Sequence, residues 1–195
     1  MYMGCIKVNM SGIHIESQFL NEVEAAMGRP ISGCYQCKKC SVGCPVSYTM
    51  DLLPHQVIRL VQFGQKERVL NAATPWICAA CETCTTRCPN EIDIAGVMDH
   101  LKNLSYAEGR SIPEPNVLAF HRAFLSVIRK RGRIFEADLL PRYMLKSGEV
   151  RRMMAEGTLM DELRLGLALF KKGRMKILPP RIKGRQDTAK IIKKV

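Results

Sequence analysis

The sequence predicts a mainly α-helical protein with a short β or irregular segment at its N-terminus and a helical extension at its C-terminus. Three observations predict this class. Apolar residues recur at the helical period along most of the chain, a cysteine-rich segment occurs twice, and helical spacing resumes beyond a linker that contains prolines. The predicted division is 1–30 for an N-terminal segment with one helix, 31–110 for the repeated unit and 111–195 for the extension.

The first predicted elements precede most of the cysteines. Residues 1–15 alternate apolar and polar side chains over a short stretch, which is consistent with a small strand or hairpin. Ser17 is a candidate N-cap for a helix that ends near Gly28, before Pro30. Cys5 lies alone in this segment, and we expect it to be a free or buried thiol without a role.

Eight of the nine cysteines form two copies of the motif C-x-x-C-x-x-C-x-x-x-C-P. Each cysteine of the first copy recurs 44 residues later in the second copy, which indicates an internal duplication. The first copy contains Cys34, Cys37, Cys40 and Cys44, and the second contains Cys78, Cys81, Cys84 and Cys88.

This spacing is typical of a [4Fe–4S] cluster. A cubane needs a thiolate at each of four iron corners, and three cysteines separated by two residues let one turn of backbone supply three of them. The proline after the fourth cysteine directs the chain away from the turn, and in two-cluster ferredoxins that fourth cysteine binds the other cluster. We therefore predict two [4Fe–4S] clusters and no catalytic residue. The predicted ligands are Cys34, Cys37, Cys40 and Cys88 for the first cluster, and Cys78, Cys81, Cys84 and Cys44 for the second.

Three other uses of these cysteines are open but disfavoured. Zinc prefers paired C-x-x-C units over a triplet with a distant fourth ligand. A disulfide framework is usual in small secreted chains, and the N-terminal residues show no secretory signal. One site could hold a [3Fe–4S] cluster, although none of the eight cysteine positions is replaced.

Helical segments connect and follow the two motifs. Apolar residues from Leu52 to Leu70 predict two short helices divided at Gly64, and a further helix after the second motif closes near Gly109. Helices, and not hairpins, therefore join the cluster turns. This pattern predicts an α-helical ferredoxin domain over 31–110.

The C-terminal third is predicted to be a helical extension for docking to other subunits. Residues 111–116 contain two prolines and are interpreted as a linker. Val117–Ile128 and Leu159–Phe170 follow the helical period, and the methionines between them suit either a core or a docking surface. The tail from Lys171 is basic and poor in core-forming residues.

The charge balance excludes some classes of partner. The formal net charge is +12, and each cluster with its four thiolates contributes about −2, which leaves about +8. Because aromatic residues make up only 6% and no nucleic-acid module is present, we expect the basic excess to face acidic subunits or solvent. No apolar run approaches the roughly 18 residues of a membrane span, so we expect no membrane insertion, and the lack of a secretory signal in the N-terminal residues predicts a cytoplasmic protein. The histidines have no ligand spacing and are interpreted as structural or solvated; they are His14, His55, His100 and His121.

The segments GCYQCKKCSVGCPV and WICAACETCTTRCPNEIDI, the helical spacer and the basic tail resemble the C subunit of the soluble heterodisulfide reductase of methanogens and related anaerobes. The resemblance is most specific over 33–98. It implies an electron-transfer subunit of a hetero-oligomer. Such a subunit relays electrons between the A subunit, which carries flavin and iron–sulfur clusters, and the B subunit, which carries Cys-Cys-Gly repeats and reduces the coenzyme M–coenzyme B disulfide. Since no cysteine follows Cys88 and no flavin motif is present, the complex, and not this chain alone, is expected to be the enzyme.

Two other functions are open. An iron–sulfur relay subunit of another anaerobic oxidoreductase has the same chemistry; it would be of a heterodisulfide-reductase-like, fumarate reductase or glycerol-phosphate dehydrogenase type. The fumarate type adds a [2Fe–2S] domain with four cysteines, whereas only Cys5 precedes Cys34, and the glycerol-phosphate type adds Cys-Cys-Gly repeats that this chain lacks. The second function is a redox sensor, which usually exposes one labile cluster.

Three cations lie within the cluster turns. Lys38, Lys39 and Arg87 are predicted to favour the reduced clusters or to be solvated surface charges.

Overall fold

The computed structural model of the protein describes residues 17–174, 182 and 184–192. Every regular element within these ranges is a helix, and no strand occurs in them, so the predicted mainly α class is confirmed. The predicted strand or hairpin at 1–15, with Cys5 and His14, lies outside the described residues. No helix in the described ranges combines the length and the apolar character that crossing a bilayer requires.

Backbone contacts divide the chain into two compact units, Met1–Glu114 and Pro115–Val195. The described helices of the first unit are α1 (Ser17–Met27), α2 (Lys39–Val42), α3 (Pro54–Gln62), α4 (Lys66–Leu70), α5 (Thr74–Ile77), α6 (Thr83–Thr86) and α7 (Ile94–Ala107), with a 3-10 turn at Ser47–Thr49.

Helix α7 is the central element of the first unit, and it contacts α1, α4, α5 and α6. Its N-terminus is capped by Asp93, whose side chain accepts a hydrogen bond from the Gly96 amide at 2.9 Å. Val97, Met98 and Leu101 follow the helical period on its buried face and are at most 1% exposed. The core that they form also contains several cysteine side chains at its border, so the cysteine turns rest directly on it.

Two predicted helix boundaries are confirmed. Gly64 separates α3 from α4 with a φ of 66°, and Gly109 follows α7 with a φ of 65°. Both lie in the left-handed region that ends helices at low cost when the residue is glycine. The sequence did not predict the 3-10 turn or α5, because elements of three or four residues are too short to show a hydrophobic period.

The second unit contains a smaller core. Its described helices are α8 (Pro115–Arg131), α9 (Glu136–Ser147), α10 (Glu149–Glu156), α11 (Leu159–Lys171) and α12 (Arg185–Ile192). Ala123, Val127, Phe135 and Leu139 are its buried apolar residues, and they join α8 to α9.

The predicted linker 111–116 is wrong at its C-terminal end. Helix α8 begins at Pro115, so the connection is two residues shorter than expected. Proline is tolerated in the first turn of a helix, because its missing amide would have no helical partner there. The prolines of this segment therefore limit where the helix can begin and do not exclude it.

Candidate cluster-binding sites

The two cysteine motifs have the same backbone conformation. The short helices α2 and α6 begin 44 residues apart, as the cysteines do. Before them, Gln36 and Lys38 have φ values of 63° and 64°, and the equivalent Ala80 and Glu82 have values of 49° and 60°. Positive φ is uncommon for residues other than glycine, and each such residue turns the chain sharply. The duplication is thus preserved in the local turns that surround the first three cysteines of each copy.

The second triplet shares a cavity with the last cysteine of the first motif. Cys44 lines this cavity together with Cys78, Cys81 and Cys84. The remaining lining is small or apolar apart from one threonine: Val46, Met50, Pro54, Ala79, Thr83, Ala95 and Met98. The structure therefore brings together the four cysteines that the sequence predicts for one cluster.

The end of the second motif packs on the first motif. Asn90 Nδ2 donates a hydrogen bond to the carbonyl of Gly33, the residue before the first triplet. The Arg87 side chain lies so close to Gly43 that a Cβ there would come within 2.6 Å of it. Since Cys88 lies between Arg87 and Asn90, these two contacts hold the chain around it against the first motif, with α6 against α2.

The electrostatics of Tyr35 agree with this location. Partial loss of solvation raises the pKa of its phenol, and negative charge on the neighbouring sulfurs of Cys37, Cys88 and Cys34 raises it further. A thiol contributes to such a shift only when it lies nearby. Cys88 therefore belongs to the same neighbourhood as two cysteines of the first triplet.

The cysteines differ in exposure and acidity. Burial raises the pKa of Cys40 and Cys78, and it raises the pKa of Cys84 to about 11. Cys81 is exposed, and hydrogen bonding to Thr83, whose hydroxyl lies 3.4 Å from its sulfur, lowers its pKa. Iron binds thiolates, so loading of the buried positions must release protons.

Side chains of α1 and α3 hold the chain segment that precedes the first triplet. Glu24 on α1 accepts hydrogen bonds from the amides of Ile31 and Ser32 at 2.6 and 2.7 Å. Gln62 on α3 donates to the carbonyls of Ile31, Ser32 and Cys34 at 3.1–3.3 Å. Glu24 thus binds the backbone amides of the segment before the first triplet, and Gln62 binds backbone carbonyls in and just after it.

The entrance to the second motif is held by Asp51. Its carboxylate accepts hydrogen bonds from the amides of Ala73 and Thr74, each at 2.9 Å, at the beginning of α5. Burial raises the pKa of Asp51, but hydrogen bonds from Thr74 and from the Ala73, Thr74 and Leu52 amides outweigh it, so the pKa is lowered. Helix α5 leads directly into Cys78, so this contact positions the second triplet.

A hydroxyl residue follows the third cysteine in each motif. Ser41 Oγ lies 2.7 Å from His55 Nδ1, whereas the equivalent Thr85 donates to Asp93 at 3.1 Å. Burial, and then the charge of Lys38, lower the pKa of His55. No signal in the sequence pointed to His55, because a contact across 14 residues between a turn and a helix leaves no local pattern.

The eight described cysteines are free thiols, which is contrary to a disulfide framework among them. In the part of the chain that the structure describes, no three His, Cys, Asp or Glu side chains are close enough to hold a single metal ion. A zinc ion needs its ligands around one point, whereas each thiolate of a cubane binds its own iron atom. The donor set of four cysteines around an apolar cavity fits a [4Fe–4S] cluster better than zinc.

Comparison with known proteins agrees with this chemistry. The profile of the 4Fe-4S dicluster domain matches residues 30–92. The chain is 29% identical over 119 residues to the C subunit of the H(2):CoB-CoM heterodisulfide,ferredoxin reductase of Methanothermobacter marburgensis, a match that covers 61% of each protein. It is 28% identical over 132 residues to the iron-sulfur C 2 subunit of the CoB--CoM heterodisulfide reductase of Methanocaldococcus jannaschii, covering 64% of this chain and 67% of that protein.

A third relative is the C subunit of the Ferredoxin:CoB-CoM heterodisulfide reductase of Methanosarcina mazei, with 31% identity over 122 residues, 63% of this chain and 71% of the relative. The protein is thus an iron–sulfur protein with two [4Fe–4S] clusters, and the predicted cofactors are confirmed. It belongs to the family of heterodisulfide reductase C subunits, as the sequence motifs indicate. The match spans about three fifths, 61%, of the length of the Methanothermobacter relative.

Proposed function

We propose that this chain is the electron-transfer subunit of a cytoplasmic heterodisulfide reductase complex. In this proposal it relays electrons between a partner that carries flavin and iron–sulfur clusters and a Cys-Cys-Gly subunit that reduces the coenzyme B–coenzyme M disulfide. Each [4Fe–4S] cluster, when bound, supplies a site for one-electron exchange. The chain's own residues hold two such sites side by side in one unit.

The observation that carries this proposal is the location of each fourth cysteine, which lies beside the other motif. Cys44 lines the cavity of the second triplet, and Cys88 is held beside the first triplet by the contacts of its neighbours. We assign the first cluster to Cys34, Cys37, Cys40 and Cys88, and the second to Cys78, Cys81, Cys84 and Cys44. In this assignment each motif gives a ligand to the other cluster, so both sites stay within one unit, as electron relay requires.

The partners follow from the family and from what the chain lacks. Three relatives carry names of heterodisulfide reductases that act on CoB-CoM. The sequence has no cysteine after Cys88 and no flavin motif, so disulfide reduction and flavin chemistry require other subunits. A hetero-oligomer is therefore the proposed working form.

Anaerobic purification of the tagged chain from its native host tests this function. We expect a flavoprotein and a Cys-Cys-Gly subunit to co-purify, with about eight irons on each copy of this chain. The purified assembly should reduce the coenzyme B–coenzyme M disulfide. Recovery of the chain as a lone monomer, or with a membrane cytochrome alone, would contradict the proposal.

A further inference from the structure

An open groove lies at the surface of the first cysteine turn. It is lined by Cys37, Lys39, Val42 and Arg87. Cys37 is exposed, and Val42 is 85% exposed. Cys37, a proposed ligand of the first cluster, is therefore exposed beside two cations and an exposed apolar side chain.

No acidic side chain among the described residues balances the two cations of this groove, and the proposed cluster bound at Cys37 adds the only charge of opposite sign that we assign here. No acidic side chain lines the groove, and neither Lys39 nor Arg87 forms an ion pair with an acid that the structure describes. Arg87 comes from the second motif and lies against Gly43 of the first, so both copies of the repeat supply cations here. Lys39 and Arg87 line the open groove, where cations without an acidic side chain beside them attract anionic groups from solution.

The equivalent surface of the second turn has a different character. Cys81 is exposed as Cys37 is, but the positions of Lys38 and Lys39 are occupied by Glu82 and Thr83. The two turns have the same backbone conformation, so they differ in the charge of their side chains. A charged partner can distinguish the two turns by this difference.

We propose that the groove of Cys37, Lys39, Val42 and Arg87 is the docking surface for an acidic electron-carrier protein that exchanges electrons at the first cluster. The inference rests on the proposed electron-transfer function and adds a transient carrier, its docking place and its charge to the two subunits proposed above. Lys39 and Arg87 steer the acidic carrier and orient it, while Val42 in the groove and Tyr35 next to Cys37, 61% exposed, supply apolar contact. Small, charge-steered contacts of this kind are typical of transient redox encounters.

The rate of reduction by an acidic carrier tests the proposal. The probe is an acidic ferredoxin, reduced with dithionite and mixed anaerobically in a stopped-flow instrument with the cluster-loaded full chain. We expect Lys39→Glu to lower the bimolecular rate constant about tenfold at low ionic strength, and the difference to vanish near 1 M salt, where the screening length is about 3 Å. Arg68→Glu makes the same change of charge at an exposed position of α4 outside the groove and should stay within about twofold of wild type.

Binding gives a second readout. A carbodiimide, which joins lysine to carboxylate, should cross-link Lys39 to the same ferredoxin, and high salt should abolish the product. Iron content and absorbance are compared first; if Lys39→Glu holds less iron, Val42→Glu places a negative charge in the same groove.

The outcomes separate this inference from the proposed function. Clusters that dithionite alone cannot reduce would contradict electron transfer itself. Clusters that dithionite reduces normally in all variants, with a carrier rate that is independent of salt or equally slow in Arg68→Glu, would overturn the docking surface. Tighter binding of a double-stranded oligonucleotide than of the ferredoxin, lost in Lys39→Glu, would also overturn it.

Discussion

The two cysteine turns have one backbone and two environments. Positive φ values recur at equivalent positions, and a short helix follows each of them. Around the first turn lie Lys38, Lys39 and an open groove, whereas the second turn carries Glu82 and borders an apolar cavity. The two copies thus agree in backbone conformation and differ in the side chains that set charge and solvent access.

The hydrogen bonds that hold the chain segment before each turn also differ. The first entrance is tied to α1 and α3 by Glu24 and Gln62, and the second is tied to the segment between the motifs by Asp51. Each turn can therefore be perturbed separately, although the proposed exchange of Cys44 and Cys88 links them.

The largest separate effect is expected from Asp51. Asp51→Ala removes the hydrogen bonds that begin α5, which should lower the free energy of unfolding by about 1–2 kcal/mol and loosen the second site first. The measurement is anaerobic denaturant unfolding of the cluster-loaded chain, with iron release followed in parallel. Glu24→Ala is the matched change in the segment before the first triplet. Equal loss of both clusters in both variants would show that the two turns cannot be perturbed separately.

The pH dependence of the Asp51 contribution has a defined sign. Because its pKa is lowered in the folded chain, its stabilisation is fully present above the ordinary value of 3.8 and is lost as pH falls through the lower folded value. The difference between wild type and Asp51→Asn should therefore be constant near neutral pH and shrink in acid below about 4. A difference that grows in acid would contradict this assignment.

A smaller effect is expected from exchanging the charges of the two turns. Lys38→Glu should lower the midpoint potential of the first cluster, and Glu82→Lys should raise that of the second, each by roughly 20–50 mV at about 0.1 M salt. Each substitution introduces the residue type that the equivalent position already carries, so the turn is retained. Redox titration followed by electron paramagnetic resonance measures both midpoints, with Arg68→Glu as the control; unchanged midpoints would leave these residues as solvated surface charges.

The smallest effect concerns the imidazole of His55, which lies against Ser41 of the first motif. Burial and Lys38 lower the pKa of His55, so the folded chain resists its protonation and loses stability as pH falls below the ordinary value of 6.5. His55→Gln keeps hydrogen-bonding groups beside Ser41 and removes the titration. The free energy of unfolding between pH 7 and 5.5 should fall less in the variant than in wild type, by on the order of 1 kcal/mol or less; an identical fall would assign the loss to other groups.

Most of the features that follow a period or a spacing were predictable from the sequence. The helical class, the break at Gly64 and the two clusters depend on such patterns, and they are confirmed. The left-handed turns were not predictable from composition, since Lys38 and Glu82 are not residue types that favour them. The contacts of Asp51 and His55 join segments 14 to 23 residues apart through a few hydrogen bonds each, which leave no repeating pattern in the chain.

Paired removal of ligands tests the exchange of cysteines most directly. The variant Cys37→Ala/Cys88→Ala removes two proposed ligands of one cluster, and Cys37→Ala/Cys44→Ala removes one from each. Anaerobic iron and sulfide analysis should find about four irons and one intact cubane in the first variant, and far less in the second. The reverse result, with the intact cubane in Cys37→Ala/Cys44→Ala, would mean that each motif binds its own cluster and would contradict the exchange.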